Sequence, residues 1–323
     1  MEYLMRNGII FVYNYLLSKI RKKDTTNEKI RDYLKDRTLI LGTRTQTTEE
    51  INLYIRDLIL SGKPFLAGRF GATELFCVRT FDFELDSKYE KVLSQMQMWS
   101  GFFPSKMDLG NKFKDLMLES IPEADVMGIW MLPFEDYYLN KYGQKNLRTT
   151  YLFDLEPWSA PDNPWSAALA GKKVLVIHPF SETIEHQYKN REKIFPGTDI
   201  LPLFELKTLK AVQTVAGEKD DRFATWFDAL DWMYKEALKI DFDVAIIGCG
   251  AYGFPLAVKL KRAGKQAIHL GGATQLLFGI RGKRWDESEN YAYVQKFFND
   301  AWVYPSDKDK PKQASKVEGG CYW

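Results

Sequence analysis

Apolar residues recur along this chain in two alternating periods, one helical and one of short unbroken runs. Ile51, Tyr54, Ile55, Leu58 and Ile59 fall on one helical face. They follow Thr47-Thr48-Glu49-Glu50, which carries N-cap chemistry, and Ser61-Gly62-Lys63-Pro64 ends the run. Phe65–Phe70 then reads as a short strand, and Gly71-Ala72-Thr73-Glu74 as a turn into a further helix. Helical spacing returns over 88–99 and 108–120, before a strand at Ala124–Met131. Pro157, Pro161 and Pro164, interleaved with Trp158 and Trp165, mark a crossover. The pattern restarts with a strand at Lys173–His178, a turn at Pro179-Phe180, a helix over 181–193 and a short strand at Ile200-Leu201. A helix over 223–240 feeds a strand at Val244–Ile247, and after another helix comes a strand at Gln266–Leu270. Strands alternating with helices predict an α/β protein: a mostly parallel, Rossmann-like sheet with helices on both faces. The expected divisions are an N-terminal helical extension (1–45), a first α/β half (46–165), a second Rossmann-like half (166–300) and a polar C-terminal tail (301–323).

Within that pattern the stretch from Asp243 to Trp285 is the most informative. The β-branched run Val244-Ala245-Ile246-Ile247 suits a strand covered on both faces. Gly248, Gly250 and Gly253 follow it, with Tyr252 between, and permit a tight turn and a close backbone approach. Such a turn directs backbone N–H groups and a helix N-terminus at one point, which suits a phosphate. The next strand ends in a second turn, Gly271-Gly272-Ala273-Thr274-Gln275. Open α/β sheets place ligands at such strand ends. A dinucleotide site would also need an acidic residue at the end of the second strand to hold a ribose. That strand ends His269-Leu270-Gly271, so no NAD is expected. Close helix–strand packing and a nucleotide-sugar or phosphate site are the remaining readings of the glycines.

Other strand ends carry chemistry of the same kind. Gly68-Arg69-Phe70-Gly71-Ala72-Thr73-Glu74 sets an arginine and a carboxylate about a glycine turn. Arg69 suits a phosphate or a pairing with Glu74, which itself suits a metal ion, a sugar hydroxyl or a proton. His178 and His269 end predicted strands, and His178 is a candidate catalytic residue. Arg281, Lys283 and Arg284, interleaved with glycines after the second turn, suit a phosphate or an acidic sugar better than a solvated helix face.

Composition narrows the classes. Forty-five basic against forty-three acidic residues leave a formal net charge of +2, which argues against a nucleic-acid binder. Cys77, Cys249 and Cys321 form neither a disulfide framework nor a metal pattern, so a reducing cytoplasm is the default. The apolar stretch Ile9–Leu17 is too short to span a bilayer. With the basic residues from Lys19 to Lys23 it reads either as a docked helix or as a peripheral contact at the inner face of the membrane.

The segment from Arg69 to Glu74 and the late strand–turn–helix–strand unit together resemble the bacterial GT-D fold glycosyltransferases of polysaccharide biosynthesis. The resemblance spans roughly residues 50 to 285 and implies transfer from a nucleotide-sugar donor to a glycan or lipid-linked acceptor, as in capsule assembly. In that family an Asp-x-Glu pair is associated with Mg²⁺ or Mn²⁺ and the nucleoside diphosphate. Here the glutamate falls on Glu74, the implied metal and catalytic residue, and the aspartate position is Ala72. On this reading Arg69, Gly71, the two glycine turns with Tyr252, Thr274 and Gln275, His269, Arg281 and Arg284 are expected to contact the donor. A non-catalytic sugar-phosphate-binding protein and, less favoured, an oxidoreductase remain as alternatives.

Overall fold

The computed structural model describes residues 45–323 apart from 313 and 318. The expected N-terminal extension and its membrane contact therefore lie outside the described residues.

β1 (Thr45–Gln46) leads into α1 (Thr48–Ser61), where the Thr47 hydroxyl and the Glu50 carboxylate complete a capping box, and Gly62 closes the helix at φ +68°. Ile51, Ile55 and Ile59 are its buried stripe. β2 (Phe65–Arg69) and α2 (Ala72–Asp82) follow, then α3 (Tyr89–Ser100), α4 (Met107–Ser120) and β3 (Val126–Ile129). The chain continues through α5 (Glu135–Tyr142), β4 (Arg148–Tyr151), β5 (Lys173–His178), α6 (Ser181–Tyr188) and α7 (Arg191–Ile194). Last come β6 (Glu205–Lys210), α8 (Trp226–Leu238), β7 (Val244–Ile247), α9 (Gly253–Arg262), β8 (Gln266–His269), α10 (Thr274–Leu277), α11 (Lys283–Glu287) and α12 (Ala292–Gln295).

The eight strands form one parallel sheet in the order β1-β4-β3-β2-β8-β7-β5-β6. Alternate strand residues feed two cores. Leu66, Leu175, Ile177, Ala245 and Ile247 pack beneath α2, α4, α8 and α9. Phe65, Ala67, Val174, Val176, Val244 and Ile246 face the other layer, with α1, Ile184 of α6 and α10. The β-branched runs are thus covered on both sides, as a parallel sheet requires.

Two local expectations need correction. Ile200-Leu201 is not a strand; both side chains are buried in the second core, and the strand of that region is β6. β6 borders the sheet, and its sequence ELKTLK places lysines on an unpaired edge, which masks the usual strand pattern. The single helix expected over 181–193 breaks into α6 and α7.

Candidate active site

Because all strands run the same way, their carboxyl ends share one edge, and a cleft of about 380 Å³ opens there between β2, β8 and their neighbours. β2 supplies Arg69 as its last residue. Its Nε donates to the Phe70 carbonyl at 3.3 Å, and the guanidinium lies 4.8 Å over the ring of Trp130, from beyond β3. The chain then turns at Gly71, the N-cap of α2, which has no side-chain cap. Glu74 sits in the first turn of that helix and folds back over the cap: a Cβ on Gly71 would lie 1.8 Å from Glu74 Oε2. Glycine is therefore needed for the carboxylate's approach, and the positive end of the helix favours the anion. Glu74 and Ala72 line the same cleft.

The turn after β8 closes one side. Gly271, at φ +62°, lies beside Arg69, and Gly272 lies against Tyr322, which would meet a Cβ there at 2.5 Å. The C-terminal residues thus return to the cleft rim. Arg284 of α11 lines it too, with its guanidinium 4.7 Å over the Tyr322 ring and Nη1 donating to the Tyr322 hydroxyl at 3.2 Å.

The turn after β7 is more closely packed. Gly250 lines the cleft, but Gly253 makes room for His269, whose Cε1 would lie 2.0 Å from a Cβ. His269 Nδ1 is 3.2 Å from the Ile247 carbonyl, so that nitrogen carries the proton. Burial and the nearby Arg69 charge hold its pKa down at about 3, and the ring is neutral. Gly248 likewise admits His178 and Thr274, each 2.6 Å from a Cβ placed there. His178 accepts a hydrogen bond from the Phe180 amide through Nδ1 at 3.0 Å, and burial lowers its pKa to about 3. It lines a second, smaller cavity of about 90 Å³ together with Gly248, Tyr252, Gln275 and Trp323. This cavity adjoins the cleft along Trp99, Gly250, Gly272 and Tyr322.

The remaining expected contacts fall outside the cleft or brace it. Thr274 is fully buried and donates to the Ile247 carbonyl at 3.2 Å. Gln275 holds the C-terminal segment, donating to the Arg281 and Tyr322 carbonyls at 2.9 and 3.2 Å. Tyr252 stacks on Trp226 at 4.6 Å. Arg281 turns away: its Nε pairs with Asp286 at 2.9 Å, and its guanidinium covers Phe298 and Tyr304.

Sequence reasoning missed two buried carboxylates. Glu156, 5% exposed, lines the cleft and accepts the Tyr293 hydroxyl hydrogen bond at 2.6 Å. Burial pushes its pKa up to about 8, against the opposing pull of Tyr293 and Arg69. Glu135 of α5 accepts from the Trp130 and Leu132 amides, both at 3.1 Å, and burial lifts its pKa to about 8 as well. An acidic residue closely following a strand was the available signal for Glu156, but the prolines and tryptophans around it read as a crossover.

Among the described residues, no three His, Cys, Asp or Glu side chains group as metal ligands. With Ala72 at the aspartate position, the motif offers the implied Mg²⁺ or Mn²⁺ the Glu74 carboxylate alone, and Glu156, the other carboxylate lining the cleft, is held by Tyr293, so the residues present do not make up a ligand set. No helix of the described residues is long and apolar enough to cross a membrane.

No family model matches the chain, and no curated protein matches it. Among solved structures it is similar to one described as the highly conserved domain of unknown function 1792, with a distinct glycosyltransferase fold. The two are 13% identical, the similarity covers 79% of this chain and 90% of that one, and the TM-score is 0.40.

Proposed function

We propose that the protein is a glycosyltransferase, moving a sugar from a nucleotide-sugar donor to a hydroxyl of a glycan or lipid-linked acceptor during cell-surface polysaccharide assembly. One observation carries this reading. Arg69, Arg284, the glycine turns at Gly250 and Gly271-Gly272, and the Glu74 carboxylate all line one cleft at the carboxyl edge of a parallel sheet. Positive side chains and close-approach backbone suit a diphosphate, and a carboxylate suits sugar hydroxyls. In this reading the diphosphate lies across the two turns. Arg69 and Arg284 take up the charge that develops on the departing nucleoside diphosphate, in place of a tightly held metal. Glu74 accepts hydrogen bonds from the donor sugar, and Trp130 and Tyr291 supply stacking faces along the same wall. The smaller cavity, walled by Phe180, Tyr252 and Trp323, continues the cleft toward the base.

Titration calorimetry with a panel of nucleotide sugars, with and without Mn²⁺, tests the reading. At least one donor should bind, and Arg284→Ala should weaken it about tenfold or more, the worth of a charge-assisted hydrogen bond. Transfer should persist in EDTA, whereas Ala72→Asp, which restores a carboxylate beside Glu74, should make Mn²⁺ tighten donor binding. A protein that binds no nucleotide sugar but binds NADH would overturn the assignment.

A further inference from the structure

Resting on that reading, we propose that Glu156 is the base that accepts the proton of the acceptor hydroxyl, and that Phe153, Tyr291 and Trp285 beside it seat the acceptor sugar. Glu156 and these three aromatic residues line the same cleft as Arg69 and Arg284. The Tyr293 hydroxyl donates to Oε2 at 2.6 Å and fixes the carboxylate in the cleft wall. Phe153 packs against Tyr291 and Tyr293 at 5.8 and 5.0 Å, so the wall that would hold the acceptor is continuous with the residue that orients the base.

The competing candidates are each unsuited. His178 and His269 are neutral imidazoles too weakly basic to take a proton near neutral pH. Glu74 folds back over Gly71 at the N-terminus of α2, in the position assigned above to the donor sugar. Glu135 accepts two backbone amides through Oε2 and does not line the cleft. Among the described residues that line the cleft, Glu156 is the carboxylate whose proton affinity burial raises.

The step balances without a further reactant. The acceptor oxygen forms its bond to the anomeric carbon while the bond from that carbon to the diphosphate oxygen breaks. The electron pair leaves with the nucleoside diphosphate, the hydroxyl proton passes to Glu156, and water later removes it. The charged and titratable groups facing Glu156 are Arg69 from β2, Tyr293 from α12, Tyr291 from the turn before it, and Asp154 from its own loop. Arg69 draws the Glu156 proton affinity down. A donor diphosphate that engages Arg69 relaxes that pull, so the base strengthens as the leaving group arrives.

The test uses the full chain and the nucleotide sugar that the wild type binds best. Glu156→Gln should bind this donor within twofold and transfer about 10²–10⁴-fold more slowly, the usual worth of a positioned base. The wild-type rate should climb with pH through a midpoint at about 8 or above, and the residual rate of the variant should be flat. Tyr293→Phe, which removes the hydrogen bond that lowers the Glu156 pKa, should move the midpoint upward. This shift keeps the test decisive should Glu156→Gln fail to fold. If the wild type binds and transfers but Glu156→Gln keeps its rate within about threefold, or Tyr293→Phe leaves the midpoint in place, the base is elsewhere and the glycosyl-transfer reading stands. If the wild type binds no nucleotide sugar, that reading fails first.

Discussion

The turn after β7 and the loop after β4 leave the same edge of the same sheet, yet they use that edge differently. Between Gly248 and Gly253 the backbone is packed so closely that two of its glycines are spaces for buried rings, those of His178 and His269. The loop from Phe153 to Trp158 instead keeps a buried carboxylate on the cleft, held by a tyrosine from α12. A glycine spacing that looks like a ligand fingerprint therefore divides its labour: Gly250 faces the cleft, and its neighbours make room for the floor. The chemistry of the outer wall comes from a segment whose prolines and tryptophans look like packing.

The largest expected effect tests the packed side. Gly253→Ala would drive a Cβ to 2.0 Å from the His269 ring, which is buried and tied to the Ile247 carbonyl. Overpacking of this kind costs about 1–3 kcal/mol, and more where nothing can yield. Gly250→Ala meets no atom within 4 Å and carries only the penalty of its φ of +58°, about 1–2 kcal/mol. Chemical denaturation of both variants should rank Gly253→Ala as the more damaging. Equal losses would mean that the imidazole moves aside freely and that the floor is less rigid than its geometry.

The two sides also titrate in opposite senses. The histidines have pKa values lowered from 6.5 to about 3, so their contribution to stability is present above 6.5 and is lost as pH falls toward 3. The carboxylates Glu135 and Glu156 are raised from 4.5 to about 8, so theirs is full below 4.5 and is lost as pH rises through 8. Each group changes stability by up to about 1.4 kcal/mol per pH unit within its window. Thermal unfolding should therefore show a maximum at mildly acidic pH, with an alkaline decline between 6.5 and 8 that the double variant Glu135→Gln/Glu156→Gln largely removes. A decline that survives in this variant would have another origin.

How much of this was legible in the sequence follows from how local each feature is. β2, β5, β7 and β8 announce themselves because their apolar runs are buried on both faces. β4 is a four-residue RTTY, and β6 alternates lysines along an edge, so neither carries that signal. The motif from Arg69 to Glu74 and the glycines at 271 and 272 do meet in one cleft, since strand ends of a parallel sheet must. Glu156 could not be found the same way, because its partner Tyr293 lies 137 residues on. Nor does the sequence join Tyr322 to Gly272 and Gly282; that contact exists only once the C-terminal segment docks.

The smallest expected effect marks where the outer wall ends. Arg281 and Arg284 are three residues apart, in a segment that reads as one cationic cluster. Arg284 lines the cleft over Tyr322, whereas Arg281 pairs with Asp286 on the far side, against Phe298 and Tyr304. Arg281→Ala should leave donor affinity within twofold. Its cost in stability should be only about 0.5–1 kcal/mol, that of a partly exposed ion pair with some lost ring contact. Calorimetry on this variant beside Arg284→Ala resolves the cluster into its two members. Should Arg281→Ala weaken the donor as much as Arg284→Ala does, the diphosphate extends past Tyr322, and the cleft is longer than its present walls.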